Sequence, residues 1–154
     1  MDEEPHETEL KFALPRERAE ALLSELPDLA RAKPRPLSSV YFDTDKRSLR
    51  RAGLALRVRK EDGLYVQTLK DAGDGAITRG EWESAVAGPE PALETLEKTP
   101  ADRILGKGAR IQPQFAVDVC RRSAEVEEAG SRIELSLDEG EAKAGARRAP
   151  FAEL

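Results

Sequence analysis

Charged residues in this chain recur at two-residue spacing, which puts side chains on one side of an extended strand. Glu7, Glu9 and Lys11 form one such set, and Arg57, Arg59 and Glu61 a second. Arg79, Glu81 and Glu83 form a third, while Arg132, Glu134 and Asp138 share the parity of a fourth. Lys70 and Arg121 stand near the ends of two further apolar segments. Same-face neighbours on a strand lie roughly 7 Å apart. Carboxylates at that distance can share a hard cation or serve two adjacent ones, because Mg²⁺ prefers oxygen ligands. Arginines so spaced can each take a different phosphate of one chain, often through paired hydrogen bonds. A carboxylate pole and a guanidinium pole together suit a metal-bound polyphosphate. The competing reading is a sandwich whose solvated face carries cross-strand ion pairs, and charge spacing alone leaves the two level.

The elements that must position these groups follow from periodicity. His6 to Leu14 alternates, with Thr8, Leu10 and Phe12 opposite the charged set, and reads as one strand. Ala19, Leu22, Leu23 and Leu26 recur at helical spacing over Arg16 to Leu26, framed by Pro15 and Pro27. Residues 31–36 read as a basic, proline-punctuated loop, and Val40 to Phe42 as a strand. Ser48 to Gly53 is a short helical turn stopped by glycine. Leu54 to Lys60 and Leu64 to Lys70 flank Asp62-Gly63, a hairpin signature. A loop at Gly73 to Gly75 precedes a strand from Ile77 to Val86, and Glu90 to Ile104 reads as one or two helices. Strand character returns over Pro113 to Glu127, Arg132 to Asp138 and from Pro150 on, with Gly130 and Gly140 at turns. If the charged faces turn inward, the apolar faces look outward and need cover from helices or a partner.

Composition narrows the class. A chain of 154 residues is one domain's worth and can bury a substantial core. Net charge of −5 argues against nonspecific nucleic-acid binding, although an acidic chain can hold a locally basic pocket. One cysteine, Cys120, leaves no internal disulfide and fits a reducing compartment. No apolar run approaches the ~20 residues that span a bilayer, so the domain reads as cytoplasmic, without a membrane partner. Cys120 reads as a small buried hydrophobe and His6 as solvent-exposed.

The stretch Glu7-Thr8-Glu9-Leu10-Lys11 resembles the E-x-E-x-K motif of the CYTH superfamily, the triphosphate tunnel metalloenzymes. In order, Tyr41-Phe42-Asp43-Thr44, Leu56-Arg57-Val58-Arg59-Lys60-Glu61 and Thr68-Leu69-Lys70 continue the likeness. Arg79-Gly80-Glu81-Trp82-Glu83, Arg121 and the run Ile133 to Glu141 complete it, so it covers nearly the whole chain. The resemblance implies an α+β fold: an antiparallel eight-stranded closed β-barrel, or tunnel, with a few flanking helices, spanning 1–154 as one domain.

By the same resemblance, Glu7, Glu9, Asp138 and Glu153 are metal ligands for two Mg²⁺ or Mn²⁺ ions. Lys11, Arg57, Arg59, Lys70 and Arg121 are the catalytic, phosphate-holding cations, with Arg79 a further phosphate contact or a partner to the acids. Glu81 resembles an inward acidic position. Glu61, Glu83 and Glu134 are tunnel acids or groups that orient the arginines. The runs Gly53 to Gly63, Gln112 to Arg121 and Asp138 to Gly145 look closest to bacterial inorganic triphosphatases. The implied activity is metal-dependent hydrolysis of tripolyphosphate, or another triphosphate compound, to diphosphate and phosphate. Thiamine triphosphatase and class IV adenylate cyclase share the motifs and remain alternatives. A noncatalytic polyphosphate-binding module would keep Arg57, Arg59 and Lys70 without the metal acids. The bacterial enzymes usually carry a helical CHAD domain, which here would belong to a longer parent chain. The chain ends at Phe151-Ala152-Glu153-Leu154, where the family continues an acidic strand, so the last strand is expected to be incomplete.

Overall fold

The computed structural model describes the backbone of residues 6–71 and 78–154, with side chains for 9–71 and 80–154. The expected loop at Gly73 to Gly75 and the side chains of His6, Glu7 and Arg79 therefore lie outside the described residues. Contacts divide the chain into two compact units, Met1–Leu10 with Ser39–Ala116, and Lys11–Ser38 with Val117–Leu154. The expected first strand is two pieces, β1 (His6–Thr8) and β2 (Ala13–Leu14), one in each unit. Counted as halves of one strand, they bring the nine observed strands to the expected eight.

In the first unit, β4 (Leu54–Glu61), β5 (Leu64–Asp71) and β6 (Thr78–Val86) form an antiparallel sheet, with β1 pairing the start of β6. The β4–β5 hairpin turns on Asp62 and Gly63, both left-handed at φ 50° and 79°. That geometry matches strand twist and is why Asp-Gly suits it. Alternation then separates two faces. Leu54, Leu56, Val58 and Leu69 pack with Leu49 of α3 (Ser48–Arg51), Leu96 of a 3₁₀ turn (Leu93–Leu96) and Ala101 of α4 (Pro100–Leu105). Val40 and Phe42 of β3 (Arg35–Asp43) join the same core. Helices thus cover the apolar side, as an inward-facing charged side requires. Two buried polar groups fix this cover. The Gln67 amide donates to Thr95 Oγ1 and accepts from the Ala92 N–H, tying the 3₁₀ turn to β5. The Asp43 carboxylate accepts the Thr44, Leu49 and Arg50 N–H groups, satisfying donors that the start of α3 would otherwise leave unpaired.

In the second unit, β8 (Ser131–Ala144) pairs β9 (Arg147–Glu153), and β9 pairs β2. Strand β9 runs seven residues with neighbours on both sides. Helices α1 (Arg16–Glu25) and α2 (Pro27–Arg31) lay Ala19, Leu23, Leu26 and Leu29 against Leu137 and Ala152. Helix α2 was not expected: Pro27 stops α1 and also sits at the first position of the next helix, where its missing N–H costs nothing. The Arg122 guanidinium of β7 (Gln112–Glu128) donates to the Ala32 carbonyl just past α2. Strand β3 also starts earlier than expected, at Arg35, inside the stretch read as a loop. Gly130 turns as expected, with Ala129 beside it also left-handed. Gly140 does not turn: it lies inside β8, where a Cβ would collide with the Asp118 carbonyl. Its lack of a side chain serves close approach of two backbones.

Candidate functional site

The face of β4–β5–β6 opposite the core carries Arg57, Arg59, Lys70, Glu81 and Glu83. Cross-strand register sets Arg57 opposite Thr68 and Thr68 opposite Glu83. The adjacent row sets Ala55, Lys70 and Glu81 side by side. Lys70 Nζ lies 3.6 Å from a Glu81 oxygen, and the Thr68 hydroxyl donates to Glu83 over 3.3 Å. Arg59 Nε donates to Ser39 Oγ at 3.1 Å, which fixes the guanidinium against β3. The middle of this face is shielded: Thr68 is only 1% exposed, Arg57, Arg59, Lys70 and Glu81 are half-buried, and Glu83 is exposed. Arg57 Nε is buried with no hydrogen-bond partner among the described residues. A buried donor left unmade costs about 1–3 kcal/mol, more on a charged group, so this nitrogen calls for an acceptor. An open cavity of about 590 Å³ lies at β6, between Glu81 to Ser84 and the covering segment at Thr95 and Glu97 to Thr99.

The second unit carries its own polar cluster. Arg121 Nε and Nη2 donate to the two carboxylate oxygens of Asp138, both at 2.7 Å, a planar fork on a carboxylate only 5% exposed. Asp138 sits directly opposite Glu153 in the β8–β9 register. Lys11 Nζ is 3.6 Å from Glu153. Ser123 and Ser136 share a hydroxyl hydrogen bond at 2.8 Å, and Ser136 reaches the exposed Glu134 at 3.4 Å. Across the β7–β8 segment, Asp118 accepts from Lys143 and from Ser38, and these bonds hold its carboxyl below the ordinary 3.8.

Among the described residues no three acids, histidines or cysteines gather closely enough to hold a metal ion. Both oxygens of Asp138 are taken by Arg121, and Glu153 lies beside Lys11. The second-unit acids as arranged here therefore do not fit a bare metal. Glu9, the middle member of the first charged set, is half-buried, and Mg²⁺ commonly takes only one or two carboxylates when phosphates supply the remaining oxygens. A carboxylate such as Glu9 suits a metal carried on a phosphate ligand.

The CYTH domain model matches residues 5–153. The chain belongs to the CYTH family. It is 30% identical over 127 residues to an inorganic triphosphatase of Haemophilus influenzae, covering 77% of this chain and 34% of that one. The chain thus spans about a third of the length of that relative. A solved candidate adenylate cyclase from Bacillus halodurans superposes with a TM-score of 0.61 at 16% identity, covering 96% of this chain and 80% of that one. A solved Hippeastrum protein, a candidate adenylyl cyclase with a dominant triphosphatase activity, superposes at 0.56 and 22% identity, covering 96% and 77%. At these identities the two structures establish a shared antiparallel fold.

Within this CYTH chain the structure brings together Lys70 with Glu81, Arg121 with Asp138 and Lys11 with Glu153, and aligns Arg57 with Glu83 through Thr68. Glu61 stands at the hairpin end of β4, and Glu134 is exposed two residues from Ser136. The backbone pairs Glu7 with Arg79. Three contributors were not anticipated: Ser39, Thr68 and the Ser123–Ser136 pair. Each is a short hydroxyl whose partner comes from another strand, so no local pattern announces it. Thr68 and Ser136 left a trace, inside the Thr68-Leu69-Lys70 motif and the run Ile133 to Glu141. No helix among the described residues is long and apolar enough to cross a membrane.

Proposed function

We propose that this CYTH domain hydrolyses a triphosphate to a diphosphate and phosphate, with tripolyphosphate as the reference substrate. The observation that carries the reading is Arg57 Nε, buried and without a partner among the described residues, on a face that also bears Arg59, Lys70, Glu81 and Glu83. A phosphate oxygen at Arg57 would satisfy that donor, and in a half-buried, low-dielectric setting the bond would be strong. Arg59, held by Ser39, would meet a second phosphate without having to be ordered first. Lys70 would turn between Glu81 and the phosphate chain, so that its charge is balanced before and after binding. Lys11, Arg121 and Arg79 complete the proposed set of cations. Together these groups would hold the chain in line and stabilise charge developing on the departing diphosphate.

Glu7 and Glu9 would hold the divalent ion, Mg²⁺ or Mn²⁺, which when bound supplies Lewis-acid charge neutralisation and an activated water. A second ion at Asp138 and Glu153 would require Arg121 to release its fork, so the first position is the stronger part of the proposal. Glu61, Glu83 and Glu134 would orient the cations. The inorganic triphosphatase name of the Haemophilus relative and the triphosphatase activity named for the Hippeastrum protein support this reaction class.

The test is phosphate release from tripolyphosphate, thiamine triphosphate and ATP, with and without Mg²⁺, in the native protein and Glu9→Gln. Release that needs the metal and falls with Glu9→Gln is expected. Release indifferent to both would sink the mechanism, and cyclic AMP from ATP would replace hydrolysis with cyclisation.

A further inference from the structure

The charged face of the first unit ends in two aromatic rings that the phosphate chemistry does not use. Tyr41 and Phe115 stack with ring centroids 4.5 Å apart and planes 11° from parallel. Val40 and Phe42 pack into the apolar core, so strand alternation turns Ser39 and Tyr41 to the other side of β3. Ser39 is the group that accepts from Arg59 Nε. Tyr41 therefore lies one same-face step, roughly 7 Å, from the residue that anchors a phosphate-binding guanidinium. Phe115 covers Tyr41 yet remains 40% exposed. Their stack is the offset one that aromatic pairs ordinarily favour, and the exposed part of Phe115 beyond it offers a flat surface on which a third ring can stack.

We infer that Tyr41 and Phe115 form a ring-binding subsite, which takes the flat aromatic end of a triphosphate whose phosphates lie on Arg59 and Arg57. The inference rests on the triphosphate reading above and extends it: the chain discriminates in favour of triphosphates that carry an aromatic base over bare tripolyphosphate. Phe115 is the specificity-determining residue, because its ring is the exposed one. No hydrogen-bonding group has to read the base, so purine triphosphates differing only in their exocyclic groups are handled alike. Arg59 sits between the two subsites and fixes their register through Ser39.

The experiment compares kcat/KM for ATP, GTP and tripolyphosphate in the native protein, Phe115→Leu and Phe115→Ala, with calorimetric binding of ATP and tripolyphosphate in Ca²⁺ as a readout independent of turnover. Leucine keeps an apolar side chain and removes only the flat face, so it separates stacking from fold; thermal melts check both variants. The expected result is that the value for ATP falls about tenfold more than that for tripolyphosphate, through KM. GTP should follow ATP, and calorimetry should lose ATP affinity by a similar factor. Equal losses for ATP and tripolyphosphate, or no loss for either, overturn the platform while leaving the triphosphatase reading intact. If no triphosphate is cleaved by the native protein, that reading fails; a selective loss of ATP binding in Phe115→Leu would still support the subsite, and an unselective one would overturn it.

Discussion

Removing Arg121 should damage this protein more than removing Asp138, although the two make one interaction. The fork joins Arg121 Nε and Nη2 to the two Asp138 oxygens at 2.7 Å, with side chains 24% and 7% exposed. Arg121→Ala strands a carboxylate that water barely reaches, and breaking a buried pair from one side costs about 3–5 kcal/mol. Asp138→Ala leaves a guanidinium that is a quarter exposed and can turn toward solvent. Its loss should be nearer that of hydrogen bonds to a charged group, about 1.5–3 kcal/mol. For a domain of this size each kcal/mol is worth roughly 2–4 °C in melting temperature, so the two variants should separate clearly. Urea denaturation followed by circular dichroism gives both midpoints and slopes. Equal losses, or losses below about 1 kcal/mol in both, would refute a buried fork and return the pair to an ordinary surface contact.

Other consequences follow from single contacts. Asp43→Ala should lower stability by about 1–2 kcal/mol in denaturant titration, because three backbone N–H groups, two of them in α3, lose their acceptor. Asp43→Asn, which keeps one acceptor oxygen, should recover part of that loss. Gly140→Ala should cost about 1–3 kcal/mol, since its Cβ meets the Asp118 carbonyl, while alanine at Gly88, where space is open, should leave the midpoint nearly unchanged. The Asp118 carboxyl is held low chiefly by its hydrogen bond from Lys143, then by that from Ser38. A lowered folded value means stability that is present above about pH 3.8 and lost as pH falls from there through the folded value. Lys143→Met should flatten that part of the acid limb in melts taken across pH 2–6, and an unchanged limb would remove Asp118 from the account.

The parts of this fold that could be read from sequence were those governed by local rules. Asp62-Gly63 announced its hairpin because two left-handed residues are needed there, and both adopt positive φ. Leu54, Leu56 and Val58 alternated against Arg57 and Arg59, so the two faces of β4 could be sorted before any partner strand was known. The CYTH motif series did the rest for the fold class. Residues with two uses were misread. Gly140 was taken for a turn when it admits a neighbouring backbone, and Pro27 for a stop when it also starts a helix. Two prolines made residues 31–36 look like a loop, although β3 already runs from Arg35 through Pro36. At the site, the charged residues were legible but their pairings were not. The bonds Arg59 to Ser39 and Arg121 to Asp138, and the stack of Tyr41 on Phe115, depend on strand order, which no periodicity within one strand encodes.

The central claim is that the buried Arg57 donor exists for a phosphate oxygen rather than for the fold. Arg57→Met tests it directly, because methionine fills similar space without a buried donor. Mg²⁺-dependent phosphate release from tripolyphosphate and urea stability should be measured on the same preparations. The account predicts stability within about 1 kcal/mol of the native protein or above it, since an unsatisfied polar group is removed. It predicts a fall in kcat/KM of roughly 10- to 100-fold from losing a charge-assisted hydrogen bond to substrate. Undiminished turnover, or activity lost only in step with the fold, would contradict it.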